Sequence, residues 1–310
     1  TGVRSFDSYV GGCPTNVSVG ARRLGLRTQL LTGVGDDQVA DFVVDFLRRE
    51  GVDTSAIARK PGRRTSAVIL TIQPPDRFPL TYYRDNCADI GLTVADVDRA
   101  PIEEARILFV SGTGLTLEPS HTATLYAQER ARAAGTSVVL DLDYRPDLWP
   151  DAATYGAAVR VAVARSALVI GTEDEVCAAG GDDDVAAASA RLLAPGGPAL
   201  IVKRGSRGAT VLRPEQPPCD VPPFRVDVLN VLGAGDAFAS GLLAAWLGGW
   251  ALERAARFGN ATGAIVVTRH SCANDMPTRP EVERFVASQG GWGFAGDAGP
   301  TRKAGESPDA

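Results

Sequence analysis

Short apolar runs that suit buried strands alternate with longer helical patterns through most of this chain, and that alternation restricts its fold more than any other feature. "TQLLTGVG" at 28–35 reads as a strand, and "DDQVADFVVDFLRREG" reads as a helix closed by Gly51. Strand patterns return at "ARILFVSG", "TSVVLDLDY", "ALVIGT" and "PALIVKRG". Helical patterns stand between them at "SHTATLYAQERARAAG", "DAATYGAAVRVAVARS" and a short stretch over Asp184–Leu193. Such spacing predicts βαβ units and a parallel sheet covered by helices on both faces. One place breaks the rhythm. "TSAVILTIQ" (Thr65–Gln73) and "LTYYRDN" (Leu80–Asn86) are strand-like and joined by "PPDRFP" without a helix, the pattern of an antiparallel hairpin that would serve as a lid.

The chain of 310 residues is long enough for one large domain with a buried core. Its net charge of −5 argues against nucleic acid or an anionic membrane as the main partner. The most apolar stretch, 237–252, is too short to span a bilayer and is bounded by Asp236 and Glu253. Five scattered cysteines without a CxxC pair fit free thiols in a reducing cytoplasm. From Gly290 the sequence turns rich in Gly, Pro and Asp, so 1–289 reads as the folded domain and 290–310 as a disordered tail.

Chemistry concentrates in "NVLGAGDAFASGLLAAWLGGW". Gly233, Ala234 and Gly235 carry almost no side chain, Asp236 follows, and Phe238, Leu242, Leu243 and Trp246 recur at helical spacing. A helix starting near Ala234 would offer unpaired amides and the positive end of its dipole to an anion, and small residues would let a phosphate come close. The alternative is an aspartate N-cap after a tight turn. A second glycine cluster, "GGCPTNVSVGARRLG", brings Gly11 and Gly12 before a helix with Asn16 one turn in, suited to bonding hydroxyls; a plain glycine turn and helix cap is the competing reading. No GxxxxGK[ST] occurs, and the GxG pairs that begin at Gly33, Gly112 and Gly233 all lack the third glycine of GxGxxG, which weakens a P-loop ATPase and a Rossmann dehydrogenase. The two histidines, His121 and His270, lie far apart, so neither a histidine metal site nor a triad is expected.

Together "GGCPTNVSVGARRLGLRTQLLTGVGDD" and "NVLGAGDAFASGLL" resemble the two signature regions of the ribokinase-like (PfkB-type) carbohydrate kinases, and the resemblance runs to about residue 288. It implies a three-layer α/β/α fold with a mostly parallel central sheet and a small β lid, formed here by segments 1–11 and 63–86. It also implies phosphorylation of a sugar hydroxyl by ATP with Mg2+. "YYRDNCADIGL", "SGTGLTLEPS", "DLDYRPDLW" and "RHSCANDMPT" are similar to members that act on sugar acids. By this resemblance Asp236 is the base that takes the hydroxyl proton, and the amides of Gly233, Ala234 and Gly235 hold the transferred phosphoryl group. Gly11, Gly12 and Asn16 contact the sugar. Arg84 pairs with a substrate carboxylate or is a solvated charge, and Arg145 does the same or bonds Asp141 and Asp143 structurally. Thr172, Lys203, Gly205, Gly208 and Asn260 line the nucleotide, with a plain helix-surface role the alternative for Asn260. Glu175 helps to hold hydrated magnesium.

Two departures from the family pattern stand out. Thr172 replaces the asparagine of the usual Asn-x-x-Glu motif, and Asn230 replaces an aspartate that contributes to a monovalent-cation site, which weakens the case for potassium. Members of the family also carry a first strand with a sugar-binding aspartate before the GG motif. Only ten residues precede Gly11, so that strand is expected to be missing here. Partners implied are a sugar acid and ATP, with a homodimer through the lid. Other substrates compatible with the motifs are 2-keto-3-deoxygluconate and fructose, and the reading from another class is a sugar sensor without catalysis.

Overall fold

The computed structural model describes residues 5–71, 79–270 and 272–293. Its helices are α1 (Cys13–Arg23), α2 (Gln38–Arg49), α3 (Val94–Asp98), α4 (Ser120–Ala134), α5 (Ala152–Val163), α6 (Glu173–Gly180), α7 (Val185–Leu192), α8 (Ala234–Leu247), α9 (Leu252–Val266) and α10 (Arg279–Ser288). Its strands are β1 (Thr32–Val34), β2 (Ile57–Arg59), β3 (Ala67–Leu70), β4 (Leu80–Tyr83), β5 (Ile107–Ser111), β6 (Ser137–Asp141), β7 (Leu168–Thr172), β8 (Ala199–Lys203), β9 (Ala209–Leu212) and β10 (Cys219–Val221).

Strands β5 to β8 pair in parallel, and β9 and β10 extend the same sheet antiparallel, giving the order β10-β9-β8-β7-β6-β5. Side-chain alternation divides the core into two layers, because successive strand residues point to opposite faces. Val139, Leu168, Ile170 and Ile201 pack toward α8 and α9. Val138, Leu140, Val169 and Leu200 pack toward α4, α5, α6 and α7. The fold is thus the expected three-layer α/β/α arrangement with a mostly parallel sheet. β9 and β10 are additions that the helix–strand alternation did not reveal. The hairpin forms as β3 and β4, an antiparallel pair separate from the main sheet; its tip at 72–78 lies outside the described residues. Of the N-terminal lid segment, residues 1–4 also lie outside them, and 5–12 carry no regular secondary structure.

Local chemistry explains where helices begin. Asp37 accepts the Ala40 amide at 2.8 Å to start α2, and Asp151 accepts the Thr154 amide at 2.7 Å to start α5. Residues 294–310 of the expected tail lie outside the described residues, but the segment just before them is held by packing. Trp292 stacks on Phe258 with ring centroids 5.5 Å apart and meets Trp250 edge-on, so the folded part runs past 289.

The two glycine-rich motifs meet where α1 packs on α8. Gly20 faces Ser240 so closely that a Cβ there would lie 2.3 Å from Ser240 Oγ. That hydroxyl donates to the Asp236 carbonyl at 2.8 Å. Gly20→Val is therefore expected to force the two helices apart and cost about 1–3 kcal/mol, read as a lower denaturant midpoint. An unchanged midpoint would show that the two helices part without loss.

Candidate active site

Helix α8 starts at Ala234, and its N-cap is Gly233, whose φ of 78° lies in the left-handed region that favours glycine. No side chain caps this terminus, and Asp236 stands in the first turn. The N-cap reading of Asp236 therefore fails; the Ala234 amide donates to the Val231 carbonyl at 3.3 Å, and no side chain takes the other amides of the first turn. The carboxylate is turned instead toward α1. Asn16 Nδ2 donates to Asp236 Oδ2 at 2.7 Å, and the Cys13 thiol lies beside the same carboxylate. Burial pushes the Asp236 carboxyl up to about 6, with Asp143 adding to the rise, while Asn16, Cys13 and Lys203 oppose it. That value suits a base working near neutral pH. Asn16 Oδ1 is buried without a hydrogen-bond partner among the described residues, an acceptor left for a donor hydroxyl.

Asp236 and Asn16 open into a cleft of about 2010 Å³, which Gly11, Gly12, Arg84 and Arg145 also line. The cleft continues past Ile107 and Phe109 at the outer edge of β5. Arg145 follows the carboxyl end of β6, where α/β sheets bind ligands. It pairs with Asp143 at 2.7 Å, and its side chain stays 41% exposed. Asp143 holds it firmly charged, against burial. The structural partner foreseen for this arginine is thus present, but it is Asp143 alone. Arg84 forms an ion pair with Asp89 and is 19% exposed, so it is no solvated surface charge.

The proposed nucleotide residues gather at the ends of the next strands. Thr172 ends β7 and starts α6 through a capping box: its hydroxyl accepts the Glu175 amide, and Glu175 Oε2 accepts the Thr172 amide at 2.7 Å. Register places Thr172 beside Lys203 on β8. Gly205 and Gly208 turn the chain into β9, both at positive φ. Lys203 lies next to Gly235, its Nζ 3.1 Å from where a Cβ would stand. Asn260 departs from this group. Its amide donates to the Val221 and Pro222 carbonyls at 3.3 and 2.8 Å, tying α9 to the end of β10. Asn230, in place of the cation-site aspartate, has its amide nitrogen on the His270 carbonyl and its amide oxygen on the Leu232 amide.

Sequence reasoning missed two site residues as such. Asp143 is buried, sits at a φ of 39°, and accepts from Ser111 at 2.6 Å besides pairing with Arg145. Asp141 is buried and accepts from Lys203 at 3.2 and 3.4 Å. Acidic residues closing the buried strand "VVLDLD" were the signal, since a charge is left at such a position only where something pairs with it. Among the described residues no group of three or more His, Cys, Asp or Glu is placed to hold a metal by itself, and no helix is long and apolar enough to cross a membrane.

A sequence profile of the pfkB family carbohydrate kinases matches residues 2–279. Among curated proteins, a 5-dehydro-2-deoxygluconokinase of Shouchella clausii is 34% identical, over 92% of this chain and 89% of its own length. One of Geobacillus kaustophilus is 32% identical, over 91% and 86%. Among solved structures, a fructokinase of Xylella fastidiosa with bound ATP superposes with a TM-score of 0.83 at 26% identity, over 90% of this chain and 91% of that one. A Vibrio cholerae fructokinase holding fructose, ADP and calcium gives 0.80 at 27%, over 89% and 90%.

Proposed function

The chain belongs to the pfkB family of carbohydrate kinases, and on that premise we propose that it transfers the γ-phosphoryl group of ATP to 5-dehydro-2-deoxy-D-gluconate, giving the 6-phosphate. One observation carries the sugar-acid reading: Asp236 and Asn16, at the uncapped terminus of α8, line the same cleft as two arginines, Arg84 and Arg145. A carboxylated sugar offers that cleft both a hydroxyl for the aspartate and an anion for a guanidinium. The curated relatives named 5-dehydro-2-deoxygluconokinase support the same substrate.

The step follows from these parts. The sugar hydroxyl oxygen attacks the γ-phosphorus as its proton passes to Asp236 Oδ. A new P–O bond forms, the bond to the β-phosphate oxygen breaks, and ADP leaves with that electron pair. Amides at Gly233 and Gly235 are fixed in advance where charge builds on the phosphoryl oxygens, and that of Ala234, bonded to the Val231 carbonyl at 3.3 Å, would be shared with them. Asn16 holds Asp236 in place and uses its free oxygen on a second sugar hydroxyl. On the nucleotide side, Thr172, Gly205 and Gly208 line the phosphates. The contact of Asn260 with β10 supports a role in shaping the adenine wall rather than in touching the base.

Magnesium fits this donor set as a hydrated ion. Glu175 spends Oε2 on the capping box and offers Oε1, and Mg2+ characteristically takes one or two carboxylates together with phosphate oxygens. When bound it offsets charge on the β- and γ-phosphates. Both amide ends of Asn230 are committed to backbone, which supports a kinase that does without potassium. Val68 and Tyr83 are exposed on the hairpin and support pairing of two lids in a homodimer. The free cysteines support a cytoplasmic setting.

ADP release with the three sugars side by side tests the assignment. The dehydro sugar acid is expected to give the highest kcat/KM. A higher value for fructose or 2-keto-3-deoxygluconate would move the enzyme to that substrate, an outcome that the similar fructokinases keep open. No ADP with any sugar would leave a sugar sensor.

A further inference from the structure

The carboxyl end of β8 carries a lysine that neither the sugar cleft nor a helix cap accounts for. Lys203 is only 12% exposed, yet it is charged. Its Nζ donates to both Asp141 oxygens at 3.2 and 3.4 Å and stands 3.9 Å from Glu175 Oε2. Two carboxylates face it, Asp141 in hydrogen-bond contact and Glu175 just beyond. Burying a cation this way is costly unless it is paired and used.

Its position suggests the use. The Nζ is 3.1 Å from the point where a side chain on Gly235 would begin, so the ammonium lies against the first turn of α8, one residue before Asp236. A bulkier residue at 235 would press on it. An ammonium has three N–H bonds, and the two Asp141 oxygens leave at least one for another acceptor. Asp141, Glu175 and Lys203 come from the ends of three adjacent strands, β6, β7 and β8, or the helix that follows, so the cation is placed by the sheet itself.

We propose that Lys203 is a catalytic residue that donates to an oxygen of the phosphoryl group in transit, with Asp141 as the anion that holds it there. This deepens the phosphoryl-transfer reading and rests on it. The lysine keeps its three protons throughout; the only proton that moves is the sugar hydroxyl's, to Asp236. The amides of α8 and the ammonium flank one anion from two sides, and the positive charge is worth most as charge spreads over the phosphoryl oxygens.

Three variants test this: Lys203→Met, Lys203→Arg and the double variant Lys203→Met/Asp141→Asn. Lys203→Met is expected to lower kcat by about 10²–10³-fold, the loss typical of one donor to a developing oxyanion, while sugar KM moves less than about threefold. Lys203→Arg, which keeps the charge, should regain part of kcat. The double variant removes both charges at once, so its melting temperature should return toward the wild type while kcat stays low. It also carries the test if Lys203→Met does not fold. Recovery of kcat in the double variant to within about tenfold of the wild type would show a mere counter-ion to Asp141 and overturn the proposal. So would a loss below about tenfold in Lys203→Met. The two readings fail separately: a wild type without sugar-dependent ADP release sinks the function, whereas an active wild type with an indifferent Lys203 sinks only this role.

Discussion

Asp236→Ala is expected to lower kcat by about 10²–10⁴-fold while leaving ATP affinity near the wild-type value, the usual span for losing a positioned base. The structure removes the innocent explanation, since α8 is capped by Gly233 and needs no side chain from Asp236. What the carboxylate does instead is face α1, where Asn16 fixes its orientation. The pH dependence follows from its ionisation. Burial, then Asp143, hold the carboxyl up at about 6 in the folded protein. A base must be deprotonated, so kcat/KM should fall as pH drops through about 6, tenfold per unit below it, rather than near 4 as for an ordinary aspartate. Asp236→Asn keeps the shape and should abolish that acid limb along with most of the rate. A loss under about tenfold in Asp236→Ala, or an unmoved limb in the residual activity of Asp236→Asn, would take the base role away from this residue.

How much of this was legible in the sequence depends on how far each feature is spread along the chain. The uncapped, glycine-led start of α8 could be read because Gly233, Ala234, Gly235 and Asp236 are contiguous small residues before an apolar helix. The parallel strands could be read because buried strands are continuous apolar runs. β9 and β10 escaped because they are short and joined by a turn rather than a helix. The charged group beneath the anion site escaped for a different reason. Asp141, Glu175 and Lys203 are neighbours only through the pairing of β6 with β7 and of β7 with β8, and nothing in a linear sequence states that register. Arg145 was singled out with two candidate partners. The strand end chose between them, since Asp141 turns to Lys203 and Asp143 is left for the arginine. Trp292 lay in what composition marks as tail, and only its ring contacts with Trp250 and Phe258 reveal that the chain is still folded there.

Arg145→Leu is expected to raise KM for the sugar acid by about ten- to a hundredfold, since a hydrogen-bonded pair to a charged group is worth roughly 1.5–3 kcal/mol. The same change should move kcat/KM for a neutral sugar such as fructose by less than about threefold, because only the acid loses an ion pair. Arg84→Leu should hurt the acid less. Arg84 is bound to Asp89 and is the less exposed of the two, while Arg145 keeps 41% of its side chain exposed, with Asp143 its one ion-pair partner among the described residues. Both variants leave a carboxylate without its arginine, so stability must be followed alongside. Melting temperature separates the effects: a structural loss lowers it and slows both sugars together, whereas lost recognition selects against the acid alone. If both sugars suffer equally in both variants, neither arginine reads the carboxylate. If Arg84→Leu alone discriminates, the reader is the lid arginine, and Arg145 serves only to balance Asp143.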